Sequence, residues 1–183
     1  MRIHAFTLLA GALAIFGTAA HAANPMVGGA PMYAEKNIVE NAVNSRDHTT
    51  LVAAVKAAGL VETLKGTGPF TVFAPVNAAF DALPAGTVEM LLKPENKDKL
   101  AKILTCHVVA ARAMAADVQK MVADDGGEHK VNTVGGCVWT ARADGGKVTL
   151  TDENGNVANV TIADVGQSNG VIHVIDKVLL PKM

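Results

Sequence analysis

Aromatic residues are scarce in this chain. One Trp, one Tyr and five Phe make up 4% of its 183 residues. A base-stacking platform for single-stranded nucleic acid needs several such rings, and an aromatic sugar-binding surface needs them too. Neither is expected. An excess of charge is also missing, because 16 Lys and Arg face 17 Asp and Glu. With no basic stripe to collect phosphates, nucleic acid is not expected as a partner. Cysteine is limited to Cys106 and Cys137. A domain of this length buries roughly 68–70% of its unfolded surface, so it needs neither a metal nor dense disulfides to fold. No cofactor and no metal site are expected.

Long apolar runs are absent after the first residues. Met1-Arg-Ile-His4 is a short basic start, Ala5 to Ala20 is apolar, and Ala20-His21-Ala22 fits a small-x-small cleavage pattern. This reads as a secretory signal peptide over 1–22, cleaved near Ala22. The apolar stretch, at about 16 residues, is short of the roughly 20 that span a bilayer. No Cys lies near the cleavage position and no hydrophobic tail ends the chain. The expectation is a mature chain without a membrane span, secreted, extracellular or periplasmic.

What remains is one domain's length. Residues 23–36 contain two prolines, two adjacent glycines and Tyr33 without periodicity, and read as a mobile or loosely docked arm. Residues 37–183 read as the domain. Ile38–Val43 is short and amphipathic. Asp47 is placed to cap a helix in which Leu51, Val55 and Ala58 share a face. Gly86–Leu92 and a stretch opening at Pro94, with Leu100, Ile103 and Leu104 on one side, read as helices. Cys106–Val109 reads as a strand and Ala115–Met121 as a helix. The final third is β: Lys130–Thr133, Cys137–Ala141, Lys147–Thr151, Val157–Ile162 and a closing strand. Asp144-Gly145-Gly146 and Asn154-Gly155 are hairpin turns, since Gly and Asn accept positive φ. Helices first and hairpins second make an α+β class.

Two segments say more. Asn169-Gly-Val-Ile-His-Val-Ile-Asp176-Lys-Val-Leu-Leu-Pro181 is a β-branched run launched by a polar turn and stopped by proline. It reads as a strand buried on both faces. About a hundred residues earlier, Phe70-Thr-Val-Phe-Ala-Pro75-Val-Asn77-Ala-Ala-Phe80 is a strand that turns at Pro75 into a short helix. The pair resembles the two sequence blocks of the fasciclin (FAS1) domain. Thr50–Leu60 resembles that family's first long helix, and Leu83-Pro-Ala-Gly-Thr-Val88 the turn before its next. The likeness runs from about Asn37 to Pro181. It implies a wedge-shaped domain with two β-sheets and a group of helices covering one side. It also implies adhesion or interaction rather than catalysis, with a protein or a cell-surface or matrix partner. Pro75, Asn77, Asn169, Gly170 and His173 are the structural motif residues on this reading. The family's usual Tyr-His pair stands here as Cys106-His107. The partner-binding candidates that the resemblance implies are His107 and the Asp164-Val165 pair. The oligomeric state is left open.

Three other constellations carry weaker chemistry. Gly166-Gln-Ser168-Asn-Gly170 has the Gly-x-Ser-x-Gly spacing of hydrolase nucleophiles, but that chemistry needs a helix behind the serine, and a β-run follows. The remaining His173 and Asp176 come in the wrong order and point to opposite faces of one strand. His107 and His173, each within an apolar strand, are a metal pair or pH switch or, more simply, core histidines bonded to backbone. Asp152-Glu-Asn154-Gly-Asn156 lacks the Gly and the bidentate acid that a calcium loop requires, and Asn159-Val-Thr161 is a glycosylation sequon. Cys106 and Cys137 in an exported chain invite a disulfide, with two buried thiols as the alternative. The expected function is non-covalent binding as an adhesion or interaction module. The rivals are an envelope protein with a small-molecule or glycan ligand and, last, a Ser168-dependent hydrolase.

Overall fold

The computed structural model describes residues 24–182, and the signal peptide expected over 1–22 lies outside them. Strand β1 (Met26–Val27) pairs with β2 (Ala30–Pro31) in a two-stranded sheet. Six helices follow: α1 (Ile38–Ala42), α2 (Thr49–Ala57), α3 (Val61–Lys65), α4 (Asn77–Asp81), α5 (Thr87–Leu91) and α6 (Lys97–Thr105), with β3 (Phe70–Pro75) between α3 and α4. Then come β4 (Val108–Val109), α7 (Ala115–Asp124), β5 (His129–Asn132), β6 (Val138–Asp144), β7 (Lys147–Thr151), β8 (Val157–Gln167) and β9 (Gly170–Ile175). The large sheet has seven strands in the order β4-β3-β9-β8-β7-β6-β5. All pairs in it are antiparallel except β3 with β9, which are parallel from Phe70 opposite Gly170 to Pro75 opposite Ile175. The α+β class is therefore as expected.

The molecule has two apolar cores, and β3 and β9 separate them. Val72, Ala74, Ile172 and Val174 face a core made with α1–α6, Val27 and Met32. Phe73 and Ile175 face the other, built with Val118 and Val122 of α7, Trp139, Ala141, Val148 and Leu150. Each strand therefore buries both faces, which is why its residues read as a continuous apolar run. The closing run of the sequence is this central strand. Strand β8 is long and joins the two halves: β7 pairs with it only at Val157–Asn159, while β9 pairs with it from Val160 to Gln167.

Three local readings change. The segment expected to be a loosely docked arm is packed. Val27 and Met32 are buried, Met32 N–H donates to the Pro25 carbonyl, and Arg46 N–H donates to that of Gly28. Gly28 sits at φ 59°, and a Cβ there would lie 2.2 Å from Ser45 Oγ, so only glycine permits this close approach. Cys106 and His107 do not lie in a strand. Cys106 closes α6, and β4 begins at Val108. Asp47 does not cap α2. Asn77 does so from across the chain, its Oδ1 accepting from the Thr50 N–H at 3.0 Å while its Nδ2 donates to the Arg46 carbonyl at 2.8 Å.

Candidate functional site

The two cysteines are joined as a disulfide, with Cα atoms 5.4 Å apart. The bridge ties the end of α6 to the start of β6. Trp139 Nε1 donates to the Cys106 carbonyl at 2.6 Å, and both partners are sealed in the second core. Gly135 passes so close that a Cβ would meet the Cys106 N and Sγ atoms at 2.7 Å.

The histidines prove to be braces. His107 is 2% exposed. Its Nδ1 donates to the Ile103 carbonyl at 2.8 Å and its Nε2 accepts from the Leu179 N–H at 3.0 Å, which fixes a neutral tautomer. Burial pushes its pKa down to about 4, against smaller opposing effects from the Ile103 carbonyl and Asp152. His173 Nε2 donates to the Ala113 carbonyl at 2.8 Å, its Nδ1 accepts from the Asp164 N–H at 3.2 Å, and its ring stacks on Phe73. Burial lowers its pKa as well, again outweighing the Ala113 carbonyl and Asp164. Both nitrogens of each ring are occupied by backbone.

The partner-binding candidates separate. Val165 is 0% exposed and, like His107, presents nothing to solvent. The reason is register: Val165 pairs with Ile172 across from the helical core, where its side chain belongs to that core. Asp164 is exposed. It sits at φ 60°, an unusual value outside glycine, within the second of two register shifts of β8, the one between Ile162 and Val165. Its Oδ1 accepts from the Ala115 N–H at 2.6 Å, at the start of α7. Thr161, Ile162, Ala163 and Asp164 form an exposed run, with Ile162 37% exposed. Along this run β8 has β9 on one side and no strand on the other.

Ser168 occupies the two-residue turn between β8 and β9, where Gln167 pairs with Gly170. Its backbone N–H donates to the Lys36 carbonyl at 2.9 Å, and β9 rather than a helix follows it. Its neighbour Asn169 does structural work. Oδ1 accepts from the Ile38 N–H at 3.0 Å, and Nδ2 donates to the carbonyls of Leu64 and Gly66, each at 2.8 Å. One side chain thereby caps the start of α1 and the end of α3. Gly170 has no room for a side chain, since a Cβ would lie 2.1 Å from the Phe70 carbonyl oxygen. The acidic turn Asp152–Asn156 closes on itself: Asp152 Oδ1 accepts from the Asn154 and Asn156 N–H groups, and Oδ2 from the Asn156 side chain and the Leu180 N–H. Asn159, the sequon residue, donates its side-chain amide to Asp176.

Sequence reasoning missed the buried polar pair of Asn41 and Gln167. Asn41 Nδ2 donates to Gln167 Oε1 and to the Tyr33 carbonyl, while its Oδ1 accepts from the Tyr33 N–H. Isolated amides carry no spacing signal. His48 was also missed. It is buried, its Nδ1 pairs with Ser45 Oγ at 2.8 Å, and its Nε2 has no hydrogen-bond partner.

A parallel β3–β9 pair at the centre of the large sheet and an antiparallel run from β5 to β8, tied to α6 by the disulfide, define the fold. Comparison with known proteins agrees on the fold. The Fasciclin domain family matches residues 46–181, and the chain belongs to that family. Protein sll1483 of Synechocystis sp. is 50% identical over 100% of this chain and 97% of its own. The cell surface glycolipoprotein MPB83 of Mycobacterium bovis is 35% identical over 81% of this chain and 62% of its own. Among solved structures, a FAS1 domain pair from the insect cell adhesion molecule Fasciclin I superposes with a TM-score of 0.70 at 20% identity, covering 79% of this chain and 51% of that one. Among the described residues no helix is long and apolar enough to cross a membrane.

Proposed function

We infer that this chain is an exported interaction module that binds a protein or a cell-surface or matrix partner non-covalently, and that it is not an enzyme. The observation that carries this reading is the exposed, bulged run Thr161–Asp164 on the long strand β8. Bulges re-aim side chains and interrupt regular edge pairing. Here they lift Ile162 and Asp164 outward while Val165 stays in the core. An apolar side chain beside a fixed carboxylate suits a small recognition patch. The patch keeps Asp164 of the original candidates and replaces His107 and Val165 by Ile162. Membership of the Fasciclin domain family, and relatives named for the cell surface and for cell adhesion, support the location and the class of function.

The hydrolase reading has little to stand on. Ser168 lies in a β-turn, and the His173 ring has no free nitrogen to act as its base. Cell-aggregation and pull-down assays with the exported protein, run beside a screen of ester substrates, test the assignment. Retention of cells or matrix without ester hydrolysis is expected. Hydrolysis that disappears in Ser168→Ala overturns it.

A further inference from the structure

Two Asn-Gly pairs occur in the chain, Asn154-Gly155 and Asn169-Gly170. This dipeptide reacts with itself more readily than other Asn pairs, because glycine has no side chain to shield its backbone nitrogen from the preceding amide. The fold places the two pairs in opposite settings. Asn169 is buried, its amide holds three backbone groups, and Gly170 is pressed against the Phe70 carbonyl. Attack there requires the core to open. Asn154 and Gly155 are exposed in the turn between β7 and β8. The Gly155 N–H donates to the Asp152 carbonyl at 3.1 Å, so only this turn has to open before the nitrogen can react. An exposed turn opens at far lower cost than a packed strand.

Asn154 also holds a second segment. After β9 the chain runs on through Val178–Lys182 without pairing into the sheet. Val178 enters the helical core and Leu179 the second core. Side chains hold the backbone of this strap. His107 Nε2 accepts from the Leu179 N–H at 3.0 Å, Asp152 Oδ2 from the Leu180 N–H at 3.0 Å, and Glu153 Oε2 from the Lys182 N–H at 2.9 Å. Pro181 has no N–H to place. Asn154 Nδ2 works in the opposite sense, donating to the Leu180 carbonyl at 2.8 Å and to the Pro181 carbonyl at 3.4 Å. It is the donor in a clasp whose other side chains accept.

We propose that Asn154-Gly155 is a self-modification site, at which deamidation irreversibly loosens the clasp on Leu180–Lys182. The Gly155 nitrogen attacks Asn154 Cγ and a C–N bond forms. The Cγ–Nδ2 bond breaks, and ammonia leaves with the Gly155 amide proton. Water then opens the cyclic imide at either carbonyl, giving Asp or isoaspartate. One water is consumed and one ammonia released, with no oxidant or second reagent. Either product replaces the donating amide by a carboxylate, which only accepts, and sets it against two carbonyl oxygens. Isoaspartate also lengthens the backbone of the turn by one carbon. The site shares no residue with the Thr161–Asp164 patch, so either can fail alone.

The test follows the folded wild-type protein through incubation in mildly alkaline buffer, with peptide mapping by mass spectrometry and enzymatic methylation of isoaspartate. Asn154 should convert at least tenfold faster than Asn169, and the two should convert at similar rates once the chain is unfolded in guanidinium chloride. Asn154→Gln should show no conversion at that position on the same timescale. Asn154→Asp carries the product. In it, hydrogen exchange at the Leu180 and Lys182 amides should rise at least fivefold, while Leu150 stays protected and marks an intact core. The converted wild-type fraction gives the same reading if the variant folds poorly. No conversion at Asn154, conversion no faster than at Asn169, or unchanged exchange at Leu180 and Lys182 in the folded product overturns the proposal.

Discussion

The Asp164 backbone N–H donates to the His173 ring at 3.2 Å, and this bond pins the bulge of β8 to the central strand β9. The same ring reaches the Ala113 carbonyl with its other nitrogen, and the Asp164 carboxylate reaches Ala115. The approach to α7, the exposed bulge and the buried strand thus form one hydrogen-bonded unit. A residue that the sequence offered for catalysis instead shapes the surface offered for recognition.

Acid should destabilise the protein, and the sign follows from the histidines. His107 has an ordinary value near 6.5 when unfolded and about 4 when folded, so the unfolded chain binds the extra proton. Its contribution is complete above about pH 6.5, declines as pH falls, and is lost once pH passes below about 4. At about 1.4 kcal/mol per pH unit, His107 alone accounts for a loss of about 3 kcal/mol across that window. His48 and His173, also lowered by burial, act in the same direction. Urea titrations between pH 7.5 and 4 should show the midpoint falling, and His107→Gln should reduce the slope. A midpoint that rises or stays level in this range contradicts the buried neutral tautomers.

Asn169→Ala strands the Ile38 N–H and leaves the Leu64 and Gly66 carbonyls without their donor. Each buried group left unpaired costs about 1–3 kcal/mol, so a loss of at least about 3 kcal/mol is expected. Asn169→Asp keeps the acceptor for Ile38 but sets an oxygen against two carbonyls, and should also destabilise. Chemical denaturation measures both. A change below about 1 kcal/mol for Asn169→Ala would remove the claim that this turn holds α1 and α3 together.

The disulfide closes a loop with a sequence separation of 31. In the chain-entropy model such a link stabilises by roughly 3–4 kcal/mol. The Cys106→Ser, Cys137→Ser double variant should lose stability on that order, with further cost from polar atoms in the second core. Alkylation of the unreduced, denatured protein should add no mass. Two alkyl groups added without reductant would show free thiols.

Asp164→Asn separates surface chemistry from fold. Asn tolerates the positive φ and keeps an oxygen for Ala115, so stability should change by less than about 1 kcal/mol while the charge is gone. Asp164→Ala loses both supports and should cost about 1–2 kcal/mol. Partner binding that weakens in Asp164→Asn without a stability change assigns the carboxylate to recognition. Equal binding by both proteins confines Asp164 to a structural role.

Much of the fold was legible in the sequence. The alternation of Val171 to Ile175 showed a strand buried twice, because apolar residues occupy both parities and only a strand between two cores needs that. Gly145 and Gly155, at φ 53° and 86°, mark the hairpins they were read as. The polar contacts were not legible. Asn77 caps a helix more than twenty residues earlier in the chain, and no local pattern announces a capping residue supplied from so far away. The docked β1–β2 hairpin escaped because Pro and Gly signal turns whether or not a turn packs. His107 was read into a strand because the apolar pair after it looks the same at the end of a helix. Val165 came in as a binding candidate through the family resemblance, and its burial was not legible because the register shift that turns Asp164 out and Val165 in depends on pairing with β9.

The most direct test is a binding isotherm on a cell-surface or matrix preparation. It is measured for wild type, Ile162→Glu and Ser168→Ala, with the fold of each checked by circular dichroism. Saturable binding by wild type and Ser168→Ala, with at least tenfold weaker binding by a folded Ile162→Glu, is the predicted result. Equal binding by all three, or binding lost only in Ser168→Ala, would contradict it.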